Sequence, residues 1–246
     1  MFKNLKRSLY DCKRWVKMIY TYPEMSLKKV DYDAYWADKR GKNIGDLSGW
    51  QTDRAEIIAK ALEGQKENFS VLDIGGGDGN ILNFLKTKKQ LPITKMYNAD
   101  TSRFALEQSE KFGIESIFCD IVDMKSFEKF PEADYAFMLE ILEHIPNSEE
   151  FLLEIYRRMK KGVFFSVPNT GFIVYRLRLL FGKTPMQWRL HPAEHVRFWT
   201  ITDMRFWLDG LGFKDKYTIY TYKGTPLLRK WFPNLFAPAM VVQITQ

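Results

Sequence analysis

The residues of this 246-residue chain best suited to chemistry are carboxylates, glycines and histidines set at regular distances. In SVLDIGGGDGNIL, Asp73 is followed by Gly75, Gly76 and Gly77, then by Asp78, Gly79 and Asn80. Asp100 lies 27 residues beyond Asp73, Asp120 lies 20 beyond Asp100, and Glu140, Glu143 and His144 follow in LEILEH. Glycines lack Cβ, so the backbone can turn sharply there and approach a ligand closely. A helix opening after Gly79 would add unpaired N–H groups. A carboxylate at Asp100 can accept hydrogen bonds from both hydroxyls of a ribose, and one at Asp120 can accept from an adenine amino group.

Acids so far apart in sequence need a scaffold that gathers them at one edge, and the residue pattern supplies one. SVLDI, KMYNAD, ESIFCD, ADYAFMLE and VFFSVPN read as short apolar strands, the first four ending in or just after an acid. NILNFLKTK, SRFALEQSEKFG and SEEFLLEIYRRMKKG read as the helices between them. Ser102 is a predicted cap and Gly113 a stop, and the third helix is predicted to carry a capping acid and to end at Gly162. This alternation predicts βαβ units and a parallel sheet covered on both faces. Ligands of such sheets bind at the carboxyl ends of the strands, where Asp73, Asp100, Asp120 and Glu140 fall. Upstream, a helix is predicted over about 52–62 with Thr52 or Asp53 as cap. Downstream, IVYRLRLLFG and TITDMRFWLDGLGF read as helices. KYTIYTY and AMVVQIT read as two strands that could pair antiparallel at the sheet edge, joined by the proline-bearing KGTPLLRKWFPNLFAP.

Two ligand classes compete for the glycine turn. A dinucleotide fold needs G-x-G-x-x-G, but the sixth position here is Asn80. Asp78 would also place a negative charge beside a pyrophosphate. Two like charges about 5 Å apart repel by roughly 3 kcal/mol at an effective dielectric near 20. A ligand with a neutral or cationic centre is favoured.

VLDIGGGDGNIL, NADTSRFALEQSEKFGI, IFCDIVDM and FMLEILEHIPN resemble, in order and spacing, the motifs of class I S-adenosylmethionine-dependent methyltransferases. The resemblance covers about Thr52 to Asn169, and HVRFWTITDMRFWLDGLGF extends it. It implies an α/β, Rossmann-like fold: a seven-stranded, mostly parallel sheet with helices on both faces. By position, Gly75, Gly76 and Gly77 would contact the methionyl arm of S-adenosylmethionine, with Asp73 holding the loop. Asp100 would bind the ribose hydroxyls with Thr101 beside it, and Asp120 and the Ile121 backbone would meet the adenine. Leu139 and Glu140 would flank the sulfonium. Position 76 departs from the family pattern, where cysteine or alanine is usual. LEHIPN and PN resemble the small-molecule branch, which includes ubiquinone-biosynthesis, surface-glycan and natural-product enzymes. The D/N-P-P-Y type motif of amino-directed nucleic-acid enzymes is replaced by SVPN.

Methyl transfer needs alignment, and a base only for hydroxyl or acidic-carbon acceptors. His144 and His195 are candidates to take the proton, Glu140 stands with them, and the alternative is that His144 orders the post-strand turn. His191 and His195 are four apart, but Pro192 breaks any helix between them and no third ligand is evident, so no metal is expected. Trp36 and Tyr35 either close over the cofactor or anchor their segment. Arg54 either pairs with the methionyl carboxylate or is a helix-surface charge.

The reading divides the chain into a basic amphipathic helix and aromatic lid segment, 1–50, and a methyltransferase domain, 51–246. Segments 170–200 and 223–238 are read as substrate-side insertions. Residues 1–29 carry eight Lys/Arg against two acids and residues 170–246 eleven against four, so both ends are basic. That charge suits an anionic small-molecule acceptor, with a hydroxyl or carboxylate of a glycan, lipid-linked or natural-product intermediate expected. Peripheral contact at the inner face of a membrane is the alternative use of the basic helices, and nucleic acid is not expected. The two cysteines, Cys12 and Cys119, have no metal or redox spacing and read as reduced thiols of a cytoplasmic protein. No apolar run reaches the ~18–20 residues of a membrane span. The alternative functions are a nicotinamide-dependent oxidoreductase and a non-catalytic, membrane-associated protein that keeps the fold. No oligomeric state is assigned.

Overall fold

The computed structural model describes residues 13, 15–22, 31–40, 46–121, 123–187 and 194–246. Its centre is a seven-stranded sheet in the order β3-β2-β1-β4-β5-β7-β6. The strands are β1 (Phe69–Ile74), β2 (Ile93–Asp100), β3 (Glu115–Phe118), β4 (Ala133–Leu139), β5 (Met159–Pro168), β6 (Tyr217–Tyr222) and β7 (Ala239–Thr245). β1 pairs in parallel with both β2 and β4, and β7 pairs antiparallel with both β5 and β6. The seven-stranded, mostly parallel expectation holds, including the antiparallel pair.

The helices are a turn and a half at residues 15–20 (α1), α2 (Tyr32–Arg40), α3 (Gly49–Ala61), α4 (Asn80–Thr87), α5 (Arg103–Glu110), α6 (Ser148–Arg158), α7 (Ile173–Leu180), α8 (Ile201–Gly210), α9 (Pro226–Trp231) and α10 (Pro233–Phe236). One sheet face packs Leu72, Met138 and Phe165 against Phe151 and Ile155 of α6 and Met204 and Leu208 of α8. The other packs Val71, Phe137 and Phe164 against Ile58 of α3 and Leu82 and Leu85 of α4. Each such side chain, fully buried, contributes roughly 1.5–3 kcal/mol. The strand order reverses between β1 and β4, which opens a crevice at their carboxyl ends.

Three local readings are corrected. α3 begins at Gly49, not near Thr52, because Ser48 and Gln51 form a capping box: the Gln51 N–H donates to Ser48 Oγ and the Ser48 N–H to Gln51 Oε1. α6 stops at Arg158, and Met159–Gly162 belong to β5. Gly162 is a strand glycine whose absent side chain admits the Ile244 carbonyl, which would lie 2.1 Å from a Cβ there. The cap of α6 is not an acid either. Asn147 is the N-cap without a side-chain bond, while Glu149 and Glu150 sit in the first turn, where the helix dipole favours them.

Of the predicted N-terminal amphipathic helix, only residues 13 and 15–22 are described, and Ile19 packs there on Phe172, Val174 and Tyr175 around α7. Arg178 of α7 is completely buried. Its Nη1 donates to the carbonyls of Met18 and Thr21 at the end of α1, and its Nε to Thr184 O at 2.9 Å. The guanidinium therefore caps α1 and ties it to α7. Arg178→Ala should free α1. Trypsin cleavage at Lys17 should then quicken at least about 10-fold, the factor that ~1.4 kcal/mol of lost docking gives. Unchanged cleavage would mean that the apolar contacts alone hold α1. Among the described residues no helix is long and apolar enough to cross a membrane.

Candidate active site

The glycine turn leaves β1 at the crevice. Gly75 and Gly77 have φ of 70° and 58°, which side-chain-bearing residues rarely adopt. A Cβ on Gly76 would lie 2.5 Å from Asn98 Oδ1 and 2.6 Å from Asp73 Cγ, so the missing side chain is a packing requirement. The turn is held from β2. The Gly77 N–H donates to Asp100 Oδ2 at 2.9 Å, and Asn98 Nδ2 donates to Gly77 O at 2.7 Å. Asp100 Oδ1 accepts from the Ser102 N–H at 2.9 Å. The Thr101 N–H also favours the carboxylate, and three backbone donors leave part of its acceptor capacity, about four lone-pair positions, unused.

Asp73 is buried beneath the turn, and its Oδ2 has no hydrogen-bond partner. Burial, with Asp100 adding to it and Arg54 opposing, pushes its carboxyl up to about 8. Burial also raises the Asp100 carboxyl, opposed by the N–H donors of Ser102 and Gly77. Asp78 accepts from Asn80 Nδ2 at 2.6 Å, at the start of α4.

Helix α2 lies across the mouth. A Cβ on Gly77 would sit 2.2 Å from the Trp36 ring, so the indole rests directly on the turn. Tyr35 meets Trp36 edge-on with centroids 5.7 Å apart. Asp33 accepts from Ser102 Oγ at 2.6 Å and from the Phe104 N–H at 3.0 Å, which docks α2 on the N-terminus of α5. The Tyr32 hydroxyl is raised by burial and then by the charges of Glu194 and Asp100.

At the end of β4, Leu139 is buried and Glu140 has a left-handed backbone with φ of 61°. Glu140 is fixed on several sides. Its N–H is within reach of Ser166 O and Oγ, Ser166 Oγ donates to Glu140 Oε1 at 2.7 Å, and Arg54 Nη1 lies 3.1 Å from the same oxygen. Tyr222 from β6 approaches both Arg54 and Glu140 at 3.5 Å, and burial pushes its hydroxyl upward. Arg54 is an interior residue with a buried ion partner, not a helix-surface charge. Its Nε remains buried and unpartnered.

His144 and His195 meet edge to face with centroids 4.7 Å apart. His144 Nδ1 donates to the Glu194 carbonyl. Burial lowers the His144 ring, and burial plus His144 push His195 down to about 4, so both imidazoles are neutral near pH 7. His195 was paired in sequence with His191, which lies outside the described residues. Glu143 is buried against the two rings, and burial and then Glu140 raise its carboxyl well above the usual range.

The turn residues, Asp73, Asp100, Thr101, Leu139, Glu140, Arg54, Trp36, His144 and His195 are thus gathered at the carboxyl ends of β1, β2 and β4. Asp120 and Ile121 follow two and three residues after β3, Asp120 being exposed. Ile121 reaches to 3.7 Å from where a Cβ of Gly75 would lie. Sequence reasoning missed Asn98, Ser166, Tyr222 and Asp33, and gave Glu143 no role. Only Glu143 carried a signal, its place in LEILEH.

A model of a methyltransferase-domain family matches residues 49–217. A probable (S)-tetrahydroprotoberberine N-methyltransferase from Papaver bracteatum is 26% identical over 92 residues, 37% of this chain and 26% of that protein. The match thus spans about a quarter of that curated relative's length. Magnesium protoporphyrin IX methyltransferase from Synechocystis, solved with S-adenosylhomocysteine, superposes with a TM-score of 0.54 at 13% identity, covering 97% of this chain and 95% of that one. A possible histamine N-methyltransferase from Thermotoga maritima gives 0.54 at 14% identity, covering 86% and 98%. The two solved structures share the fold described above. The chain belongs to the methyltransferase-domain family and has the class I S-adenosylmethionine-dependent methyltransferase fold.

Proposed function

We propose that this protein transfers a methyl group from S-adenosylmethionine to a small-molecule acceptor, at a hydroxyl or carboxylate of a glycan, lipid-linked or natural-product intermediate. The observation that carries the reading is the Asp100 carboxylate. It folds the glycine turn through Gly77 and keeps acceptor capacity for a ribose diol. Gly75, Gly76 and Gly77 would lie along the methionyl arm, with Tyr35 and Trp36, whose indole rests on Gly77, closing beside it. Arg54 Nε is the free donor for its carboxylate. Thr101 would stand beside the ribose, and Asp120 and the Ile121 backbone would serve the adenine.

The bound cofactor supplies an electrophilic methyl on a sulfonium. Leu139 and Glu140 shape and polarise that end of the crevice. The neutral rings of His144 and His195 would take the proton from a hydroxyl acceptor. Segments 170–200 and 223–238 would shape the acceptor side, their basic residues favouring an anionic acceptor. Peripheral contact of α1 and α7 with anionic lipid is compatible with this placement, and nucleic acid is not proposed.

Calorimetry with S-adenosylhomocysteine tests the reading and has a proton signature. Free Asp73, with its carboxyl pushed up to about 8, is mostly protonated at pH 7. An ammonium group bound nearby favours the carboxylate, so binding should release up to about one proton. The measured enthalpy should therefore change with the ionisation enthalpy of the buffer, and Asp73→Asn should remove that dependence. No binding by folded protein at high micromolar concentration would refute the cofactor. Saturable NADH binding in its place would favour the oxidoreductase alternative.

A further inference from the structure

Glu143 and His144 lie on the short 3-10 turn Leu142–His144 that follows β4. His195 comes to them from a distant loop. Each of the three offers one ligand atom, and these atoms lie within 4.8 Å of one another, an arrangement found once among the described residues. Glu143 is 1% exposed, yet neither of its carboxylate oxygens has a hydrogen-bond partner. A carboxylate removed from water without donors is costly, so the site calls for a positive partner. Arg54 is near, but its recorded contacts run through Nη1 to Glu140 and Tyr222.

The two imidazoles are presented for the same purpose. His195 Nδ1 is buried and unpartnered. His144 donates its Nδ1 proton to the Glu194 carbonyl, which leaves the lone pair on Nε2. Metal-binding imidazoles are commonly oriented by such a bond from the other nitrogen. The loop carrying His195 is also fixed to the turn, because the Val196 and Arg197 N–H groups donate to Glu143 O at 2.9 and 3.1 Å. The ligand atoms are thus assembled by the fold itself.

We propose that Glu143, His144 and His195 bind one divalent first-row transition-metal ion beside Glu140. Two imidazole nitrogens and a carboxylate suit Mn2+, Fe2+, Co2+ or Zn2+ better than Mg2+ or Ca2+, which prefer all-oxygen shells. Three protein ligands leave coordination positions open, and an oxygen of the acceptor would fill one. That last role rests on the methyl-transfer reading, and with the ion bound it replaces proton capture by the two rings, whose lone pairs the metal takes; the site itself does not rest on that reading. The proposal departs from the expectation that no metal binds, which considered His195 only together with His191.

The test is a titration of chelator-treated, tag-free full-length protein with Co2+ at pH 7.5, followed by visible absorption. One ion per chain is expected, with d–d bands that saturate at micromolar to low-millimolar Co2+. Mg2+ should compete poorly. Glu143→Gln and His195→Asn should each weaken binding by at least ~10-fold. Because these variants could fold poorly, pulsed EPR of Mn2+ bound to the unaltered protein is the second measurement. Couplings from two imidazole nitrogens are expected, and the chain has only three histidines to supply them. Absence of Co2+ binding by folded protein, binding unchanged in both variants, or no nitrogen coupling would each overturn the proposal. Metal binding without S-adenosylhomocysteine binding would leave this site standing and refute the methyl-transfer reading.

Discussion

Asp100→Ala is expected to weaken S-adenosylhomocysteine binding by at least about 100-fold. The carboxylate holds the Gly77 and Ser102 N–H groups, and alanine strands both in a buried place. The two ribose hydroxyls would lose a charged acceptor, at ~1.5–3 kcal/mol per hydrogen bond, and ~2.7 kcal/mol is already a factor of 100. The stranded donors loosen the glycine turn as well. Asp78→Ala is the control, since its carboxylate works locally on Asn80 at the start of α4. It should cost less than about 10-fold, the effect of ~1.4 kcal/mol. Calorimetry on both variants, with circular dichroism to verify folding, decides. Equal losses in the two would show that the acid at the end of β2 has no special claim on the ligand.

The second large effect is on stability. Arg54→Met leaves Glu140 without the cation that pairs with it at 3.1 Å. Breaking a buried pair from one side costs ~3–5 kcal/mol. Glu140 is 30% exposed along its side chain, so the lower end is expected. At ~2–4 °C per kcal/mol for a chain of this size, the melting midpoint should fall by roughly 6–12 °C. Adding Glu140→Gln to Arg54→Met should recover a substantial part, because it removes one stranded charge. A single variant that melts with the parent protein would mean that water already compensates Glu140.

How much of this was legible in the sequence depended on the distance over which each cause acts. The acids at the strand ends could be read because parallel strands buried on both faces are almost wholly apolar, so a terminal Asp73 or Asp100 stands out. The cap of α5 at Ser102 was equally local. Ser48 was passed over because its capping box lies just ahead of the apolar pattern, and Thr52, inside the helix, looked like the start. Gly162 looked like a helix stop because glycine has that use too; only the pairing of β5 with β7 shows why it is needed. Contacts between distant segments left no trace: Arg54 with Tyr222, His144 with His195, and Asp33 with Ser102. Each joins residues whose neighbours in sequence predict nothing about the partner.

The position of β7 has a bearing on how the protein is made. It lies between β5 and β6, although it follows both in the chain. While a ribosome is still translating the stretch before Ala239, β6 has no strand to pair with and the edge of β5 stands open. Tyr222 cannot yet be held beside Arg54 and Glu140. The nascent chain therefore carries an unprotected, apolar strand edge while the stretch between β5 and β7 is made, the kind of edge that invites pairing with other chains. Its crevice is completed only when the strand at 239–245 has slotted into the gap.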